Sequence, residues 1–471
     1  MSGEARLFDL NIEKVLEHWS VAYAVREILA NALDEQVLTK TQPPEIFKDD
    51  QGKWHLRDFG RGLKYEHLTQ NENKEKLKNK DIVIGKFGFG LKDAFATFDR
   101  HKVKISIFSK HGDITVAKAG KHGFSDVATL HAYISAPSDK AFIGTDFVMD
   151  GVKDTDIETA KSYFLQFSEE EVLETTSKGS VIRRQPRLKG RIYVNGLCIA
   201  EEDNFLFSYN VTSPSAKLRK ALNRERTNVG RSAYTDRVKS ILLACSSSSV
   251  ADDLANDLQN FQRGTMHDEL DWTDVALHAC KILNSTDNVI FLTSEDLRTG
   301  GSLVSHAEDD GKRIIIVPED IAAKFGRIRD FEGNPIIDLG EYRNQWNDSF
   351  QFNFIEPEAL SKKEQAVFAY RDRLVKVVGR NAKRVKAIKI SETMRMNSYD
   401  HNQALGLWDP AREMIVIRRD QLATLHDFAG TLLHELCHAT TGTDDESLEF
   451  EHGLTVLLGK VAGEMLSVSG K

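Results

Sequence analysis

Two histidines and a glutamate near the C-terminus have the spacing that a metal-binding helix requires. Residues 431–440 read Thr-Leu-Leu-His-Glu-Leu-Cys-His-Ala-Thr within an apolar, helix-favouring segment. His434 and His438 are four residues apart, so both imidazoles project from one helix face and can reach a single ion. Glu435 can polarise a water molecule bound to that ion. The pattern predicts a Zn²⁺ site with Glu435 as a catalytic residue; an ordinary helix that matches by chance is the alternative.

A zinc site with two histidines needs a third protein ligand, and the acidic stretch after His438 offers several. We predict Glu451, because it lies about two turns into a second, antiparallel helix that we expect to begin near Asp445. A carboxylate on the inward face of that helix needs a partner, which a zinc ion supplies. Asp445, Glu446 and Glu449 are the alternatives.

Polar residues of a different kind lie on a long helix that we predict over residues 12–38. Glu27, Asn31 and Asp34 are separated by four and three residues, so they share one face. The Glu27 carboxylate can deprotonate a water molecule, and the Asn31 amide oxygen can hold Mg²⁺. A helix with a solvated polar stripe is the alternative interpretation.

A short glycine-rich segment follows a predicted strand at residues 58–62, which read Asp-Phe-Gly-Arg-Gly. Gly60 and Gly62 let the backbone approach a planar ligand closely. Asp58 can accept a hydrogen bond from an exocyclic amine such as that of adenine. An ordinary glycine-rich turn would look the same.

A second glycine-rich segment at residues 84–94 precedes a helix that we expect to begin near Leu91. Gly85, Gly88 and Gly90 lie at its start. Free backbone amides at a helix start favour anion binding, and Lys92 adds a positive charge for phosphate. The segment lacks the spacing of a Walker loop.

In this order, the motifs resemble the GHKL superfamily of ATPases over roughly residues 12–150, and residues 84–95 are most similar to its MORC-like branch. The resemblance implies ATP and Mg²⁺ as ligands, an ATP-dependent homodimer, Glu27 as general base and Asn31 as the magnesium ligand. It implies nucleotide-binding roles for Asn31, Asp34, Asp58, Gly60, Gly62, Gly85, Gly88, Gly90, Leu91, Lys92 and Thr145. Among these, Asp58 would recognise adenine, and Thr145 would support Asp58 through a water molecule.

In such ATPases a second domain sends a cation to the γ-phosphate. Residues 166–249 are our candidate for a transducer-like domain. The candidate cations are Arg224, Arg226, Lys217 and Lys220.

Residues 385–465 resemble the zincin metallopeptidases that use a glutamate ligand. The resemblance implies a small sheet beside the two helices and a protein or peptide substrate. Cys437 lies between the two histidines on another helix face, so we expect it to pack in the core.

The fold class predicted from these patterns is a multidomain α+β protein. We expect a Bergerat α/β sandwich at 1–165, the transducer-like α/β domain at 166–249, a linking α/β region at 250–356 and a zincin-like α+β domain at 357–471. A β-hairpin is predicted around Asn195-Gly196. The polar, lysine-rich residues 66–81 predict a mobile surface loop.

The composition is that of a globular protein with an acidic balance. The 471 residues include 71 acidic and 63 basic side chains, for a net charge of −8. This acidic balance argues against a protein that binds nucleic acid through its overall charge. The basic stretches at 217–239 and 371–389 leave a nucleic-acid partner as the second choice. Four dispersed cysteines and the lack of an apolar run of about 18 residues lead us to expect a cytoplasmic protein without a membrane span.

Two functions fit these predictions. The first is an ATP-gated zinc peptidase acting on protein or peptide. The second is a MORC-like, ATP-driven clamp or remodeller whose zincin domain has no catalytic role.

Overall fold

The chain forms two compact units in the computed structural model. Unit 1 comprises Met1–Ala279 and unit 2 comprises Cys280–Lys471. The structure describes residues 6–12, 16–69, 74–79, 82–85, 90–121, 124–222, 229–397 and 402–468. The predicted site residues Gly88, Arg224 and Arg226 lie outside this part of the chain. The described residues form a mixed α/β fold with several sheets. The division of the chain into four domains remains a prediction.

A seven-stranded antiparallel sheet forms the centre of the first half of unit 1. Its strand order is β1-β6-β5-β4-β7-β3-β2. The strands are β1 (Arg6–Asp9), β2 (Glu45–Lys48), β3 (Trp54–Asp58), β4 (Lys104–Ser109), β5 (Asp113–Lys121), β6 (Phe124–Ser135) and β7 (Thr145–Asp150).

Helices cover this sheet and bury one apolar core with it. They are α1 (Val21–Thr39), α2 (Glu66–Thr69), α3 (Lys74–Lys78), α4 (Gly90–Arg100) and α5 (Asp154–Ser162). Ile28 and Leu29 of α1 pack with Phe95 and Phe98 of α4 in that core, and all four are fully buried. The packing of α1 on α4 brings Glu27 of α1 next to Gly90 at the start of α4.

Helix α1 is shorter than the predicted helix over residues 12–38. It begins at Val21, after a turn in which Leu16 has a positive φ of 56°. A leucine in the left-handed region cannot continue a right-handed helix. Residues 66–81, which we predicted to be a loop, contain the short helices α2 and α3. The polar composition of this segment gave no apolar periodicity from which these helices could be predicted.

A second, five-stranded sheet forms the next part of unit 1, in the order β11-β10-β12-β9-β8. Its strands are β8 (Val172–Thr176), β9 (Gly179–Arg183), β10 (Gly190–Val194), β11 (Leu197–Glu202) and β12 (Phe207–Val211). The predicted hairpin is confirmed: Asn195 and Gly196 have φ values of 48° and 84° and join two antiparallel strands. The sequence did not reveal β8 and β9.

Four helices complete the description of unit 1, and the division between the units falls within the last of them. They are α6 (Ala216–Ala221), α7 (Thr235–Leu242), α8 (Ser248–Leu258) and α9 (Thr273–Thr286).

Unit 2 begins with a two-stranded parallel sheet and its helices. These elements are β13 (Val289–Leu292), α10 (Ser294–Thr299), α11 (Gly301–Asp309), β14 (Arg313–Ile316), α12 (Glu319–Ala322) and α13 (Leu339–Ser349). Strands β13 and β14 pair in parallel from Val289 with Arg313 to Leu292 with Ile316.

The rest of unit 2 is a four-stranded sheet packed against helices, with strand order β15-β16-β18-β17. The elements are β15 (Phe354–Ile355), α14 (Lys362–Phe368), α15 (Arg371–Val378), β16 (Ala387–Ser391), β17 (Gly406–Asp409), β18 (Met414–Arg418), α16 (Leu425–Thr441) and α17 (Leu448–Val468). Strand β17 forms one edge of this sheet, and the sequence did not predict it.

Helices α16 and α17 enclose an apolar core with the sheet. Leu432, Leu436 and Cys437 of α16 are fully buried there, which agrees with the packing role expected for Cys437. Helix α17 begins at Leu448, three residues after the predicted start at Asp445. In the described part of the chain, no helix combines the length and apolar character that a membrane span requires.

Candidate functional site

A cavity of about 440 Å³ in unit 1 lies where α1, β3 and β7 meet. Asn31, Asp58, Gly62, Leu91 and Thr145 all line it. Its volume falls within the range of pockets that enclose small-molecule ligands. The structure therefore brings five of the predicted nucleotide-binding residues into one cavity.

Asp58 is the buried acid of this cavity, at the end of β3. One carboxylate oxygen accepts a hydrogen bond of 2.9 Å from the backbone amide of Gly60. Burial raises the pKa of Asp58 to about 6, while the hydrogen bonds from Gly60 and Thr145 oppose the rise and Glu35 adds to it. Asp58 is thus a largely buried hydrogen-bond acceptor in the wall of the cavity.

Two glycines allow the backbone to pass close to Asp58. Gly144 has a φ of 82°, and a Cβ added there would lie 1.8 Å from the carbonyl oxygen of Asp58. Gly62 has a φ of 87°. Any larger residue at position 144 would push β3 and β7 apart, so this glycine is required by the site.

Asn31 and Asp34 lie on α1 beside an ammonium group that the sequence did not identify. Nζ of Lys76 lies 2.9 Å from Oδ1 of Asn31 and 2.6 Å from Oδ2 of Asp34. Asp34 also accepts hydrogen bonds from the amides of Ile84 and Gly85, at 2.5 and 2.8 Å. Asp34 therefore anchors the start of the second glycine-rich segment, and Lys76 places a cation beside the predicted magnesium ligand.

Glu27 is buried on the same helix, next to the start of α4. A Cβ added to Gly90 would lie 2.4 Å from Oε2 of Glu27. Its other oxygen accepts a hydrogen bond of 2.9 Å from Arg26. The Arg26 guanidinium is fully buried among Trp19, Tyr23 and Tyr163, at 4.8 to 5.5 Å from their ring centres. This aromatic enclosure fixes Arg26, which in turn fixes the Glu27 carboxylate.

Lys92, Gly60 and the two candidate lysines of α6 are not among the residues that line the cavity. Lys92 is buried on α4, and this burial lowers its pKa although Asp93 opposes the change. Gly60 lies against the side chain of Glu35, which pairs with Arg61 at 2.8 Å on the cavity rim. Lys217 is exposed on α6, as is Lys220. Glu35, Arg61 and Lys76 carried no recognisable signal in the sequence.

Three side chains of unit 2 meet in an arrangement that suits a metal ion. Nε2 of His434 and Nε2 of His438 lie 3.2 Å apart, and Oδ1 of Asp445 lies 2.9 and 3.1 Å from them. Four-coordinate zinc with bonds of about 2.1 Å places its ligand atoms roughly 3.4 Å apart. Among the described residues, this is the group of imidazoles and carboxylates that fits an ion.

The protonation of His438 also fits metal binding. Its Nδ1 lies 2.8 Å from the carbonyl oxygen of Thr443, which can only accept, so Nδ1 carries the proton. The Nε2 lone pair then faces His434 and Asp445. Burial lowers the pKa of His434, although the Asp445 carboxylate opposes this, which favours the neutral imidazole that binds metals. The donor set therefore fits Zn²⁺.

The structure corrects the predicted third ligand. Asp445, and not Glu451, lies beside the histidines. On α17, Phe450 is the residue that faces inward, with its ring centre 4.9 and 4.4 Å from those of His434 and His438. Glu451 follows it by one residue, about 100° further around the helix, and is exposed.

Glu435 belongs to α16, the helix that carries the two histidines, and its side chain faces the edge strand β17. A Cβ added to Gly406 would lie 2.7 Å from Oε1 of Glu435, so a glycine is needed there. Burial raises the pKa of Glu435 to about 8, the Asp445 charge adds to this, and the backbone amide of Trp408 opposes it. A divalent cation beside Asp445 would favour the ionised form again.

A groove of about 1100 Å³ opens over these residues. His434, Glu435, His438 and Asp445 line it together with β17. A groove this large exceeds the usual volume of a small-molecule pocket, so it has room for an extended chain.

Comparisons with known proteins find similarity to proteins of Mycoplasma pneumoniae. Residues 155–248 match a family described as the Mycoplasma pneumoniae MPN635 N-terminal domain. An uncharacterised protein of Mycoplasma pneumoniae is 38% identical over 241 residues, which cover 50% of this chain and 96% of the relative. The chain belongs to the family of that protein. A second uncharacterised Mycoplasma pneumoniae protein related to this family is 25% identical over 338 residues, covering 66% of the chain and 93% of the relative.

Among solved structures, the ATPase region of Saccharomyces cerevisiae topoisomerase II shows weak similarity to this family member. The alignment has a TM-score of 0.23 and 11% identity, and covers 38% of this chain and 62% of that chain. The same region bound to ICRF-187 gives the same values. Similarity at this level does not identify the fold, and the case for a nucleotide site depends on the cavity geometry.

Proposed function

We propose that the chain carries a Mg²⁺-dependent ATPase site in unit 1 and a zinc peptidase site in unit 2, and that ATP controls the peptidase. The meeting of Nε2 of His434, Nε2 of His438 and Oδ1 of Asp445 within 3.2 Å, with Glu435 alongside, is the observation that carries the hydrolytic assignment. A cytoplasmic location and an ATP-dependent dimer belong to the same proposal.

The ATPase assignment is supported by groups that line the unit 1 cavity, and by Glu27, which lies on the same helix as Asn31 but outside the cavity lining. Asp58 offers a desolvated acceptor for the adenine amine, and Asn31 offers an amide oxygen for Mg²⁺. Lys76 Nζ now lies beside Asn31 and the Asp34 carboxylate, so Mg²⁺ bound at Asn31 would take the place of this ammonium group. Glu27 is held by Arg26 for proton abstraction from water.

The ATPase proposal is tested by phosphate release from Mg²⁺-ATP. Glu27→Ala should abolish turnover while ATP binding persists, and Glu45→Ala, an exposed strand residue, serves as the matched control. Turnover that persists in Glu27→Ala at the wild-type rate would contradict the assignment of the base.

The peptidase assignment follows from what the chain's own groups can do at the metal centre. His434, His438 and Asp445 would hold zinc, which supplies a Lewis acid that polarises a carbonyl and lowers the pKa of water. Glu435 can take up a proton at Oε1 or Oε2 and return it to a leaving amine. The exposed edge of β17 can pair with an extended peptide through backbone hydrogen bonds.

The peptidase proposal is tested with the full chain, a mixed peptide library and mass spectrometry. Zinc-loaded wild-type protein should cleave peptides, and Glu435→Gln should lose cleavage while it retains stoichiometric zinc. Glu464→Gln, on the exposed face of α17, is the matched control. If the wild-type protein cleaves nothing with or without ATP, the non-catalytic clamp becomes the better explanation.

The control by ATP is tested in the same assay. Cleavage rates should change at least severalfold when Mg²⁺-ATP is added, and Asp58→Asn should lose this response without losing zinc. Equal cleavage rates with and without Mg²⁺-ATP would contradict control by ATP and would mean that the two activities are independent.

A further inference from the structure

The groove over the metal centre contains a concentration of arginines that the hydrolytic chemistry does not use. Arg343, Arg384 and Arg395 all line it. They come from three separate segments, which are α13, the turn after α15 and the loop after β16. The chain as a whole has a net charge of −8, so three guanidinium groups at one groove are not explained by average composition.

Among the described residues, the acids of the groove form no ion pair with Arg384 or Arg395. Asp445 faces the two histidines, and Glu435 lies against Gly406 on β17. Asp444 is the further acid among the residues that line the groove. Within the described part of unit 2, Arg384 and Arg395 are exposed and form no ion pair, whereas Arg419 pairs with Glu364 at 2.9 Å.

We infer that this groove recognises a carboxylate of its peptide substrate through Arg384 and Arg395, with Arg343 adding positive charge. The inference rests on the proposed peptidase function. Guanidinium groups bind carboxylates through paired, charge-assisted hydrogen bonds, which fix orientation as well as charge. The carboxylate can come from an acidic side chain or from a free C-terminus.

The apolar part of the groove indicates what accompanies that carboxylate. Met396, Leu407 and Trp408 also line it. Leu407 and Trp408 are half-buried and Met396 is buried, so the first two offer apolar surface to side chains of an extended substrate beside β17. The substrate class is thus a peptide with at least one carboxylate within a few residues of the bond that is cleaved.

The test uses matched peptides that differ in a single charge. One pair has Glu or Gln at each position flanking a cleaved bond, and a second pair has a free or an amidated C-terminus. The full-length, zinc-loaded protein should show kcat/KM about tenfold higher for the charged member of one pair, as expected for a charge-assisted bond. Whichever pair shows the preference identifies the source of the carboxylate.

Three variants assign the preference to the groove. Arg384→Gln and Arg395→Gln should each reduce the ratio of kcat/KM between charged and neutral peptides at least threefold. Arg373→Gln removes an equally exposed charge from α15 outside the groove and should leave the ratio unchanged. A wild-type ratio near one for both pairs overturns the inference.

A binding measurement separates this inference from the peptidase proposal. Fluorescence anisotropy of the same peptides with the zinc-loaded Glu435→Gln protein does not require turnover. Tighter binding of charged peptides that depends on Arg384 and Arg395, without cleavage by wild-type protein, would support carboxylate recognition and refute the peptidase. Equal binding of charged and neutral peptides would refute carboxylate recognition.

Discussion

The ionisation of Asp58 should make adenine binding by unit 1 depend on pH. Burial raises the pKa of this carboxyl group to about 6. Only the ionised form is a pure acceptor for the adenine amine. Adenine binding should therefore be fully developed above pH 7 and should weaken as the pH falls through 6.

The size of the effect follows from that pKa. Between pH 7 and pH 5 the ionised fraction of Asp58 falls from about 90% to about 10%, so the association constant should fall roughly tenfold, or about 1.4 kcal/mol. Adenosine is the suitable probe, because it has no phosphate. The cavity also contains His67, whose protonation would strengthen phosphate binding at low pH and mask the effect.

Isothermal titration calorimetry of the full chain with adenosine from pH 5 to pH 8 measures this dependence. Asp58→Asn removes the titrating group, and inosine, which lacks the amine, removes the partner. Both controls should give flat profiles. An equal slope in Asp58→Asn, or a flat wild-type profile, would show that the carboxyl group does not bind the amine.

The other predictions concern single residues with matched controls. Gly144→Ala should lower Tm by at least about 10 °C in thermal denaturation and abolish adenosine binding, because a Cβ there would overlap the carbonyl oxygen of Asp58. Gly52→Ala, with a similar φ of 80° and nothing within 4 Å, should cost only about 1–2 kcal/mol, which lowers Tm by roughly 2–8 °C. Asp445→Asn should weaken zinc binding more than tenfold in a chelator competition, and Glu451→Gln should change it less than twofold. A larger loss of zinc affinity in Glu451→Gln than in Asp445→Asn would favour Glu451 as the third ligand. Arg26→Met should reduce kcat for ATP about tenfold or more with little change in KM, and an unchanged kcat would remove its positioning role.

Local patterns in the sequence predicted those features that depend on neighbours along the chain. The spacing of His434 and His438 requires only a helix, and α16 is one. The turn at Asn195-Gly196 requires only two residues that accept positive φ. Asp58 and Thr145 were separate motifs, and the sheet register pairs them directly.

The features that the sequence did not predict depend on contacts between distant segments or on which face of a helix points inward. Lys76 lies 45 positions from Asn31, and nothing in its polar surroundings indicates that contact. The inward face of α17 was predicted one residue away from its true position, because Phe450 and not Glu451 packs against the histidines. The close approach of Gly406 to Glu435 had one usable signal, a glycine that begins a short apolar run.

Residues 82–85 are held from two directions, and this has a mechanical consequence. Asp34 binds the amides of Ile84 and Gly85, while the Asn195 side chain donates to the carbonyl oxygen of Val83 at 3.0 Å. The tip of the second sheet's hairpin is thus tied to the chain just ahead of the glycines. A shift of residues 82–85 must therefore either move the hairpin with it or break the hydrogen bond from Asn195.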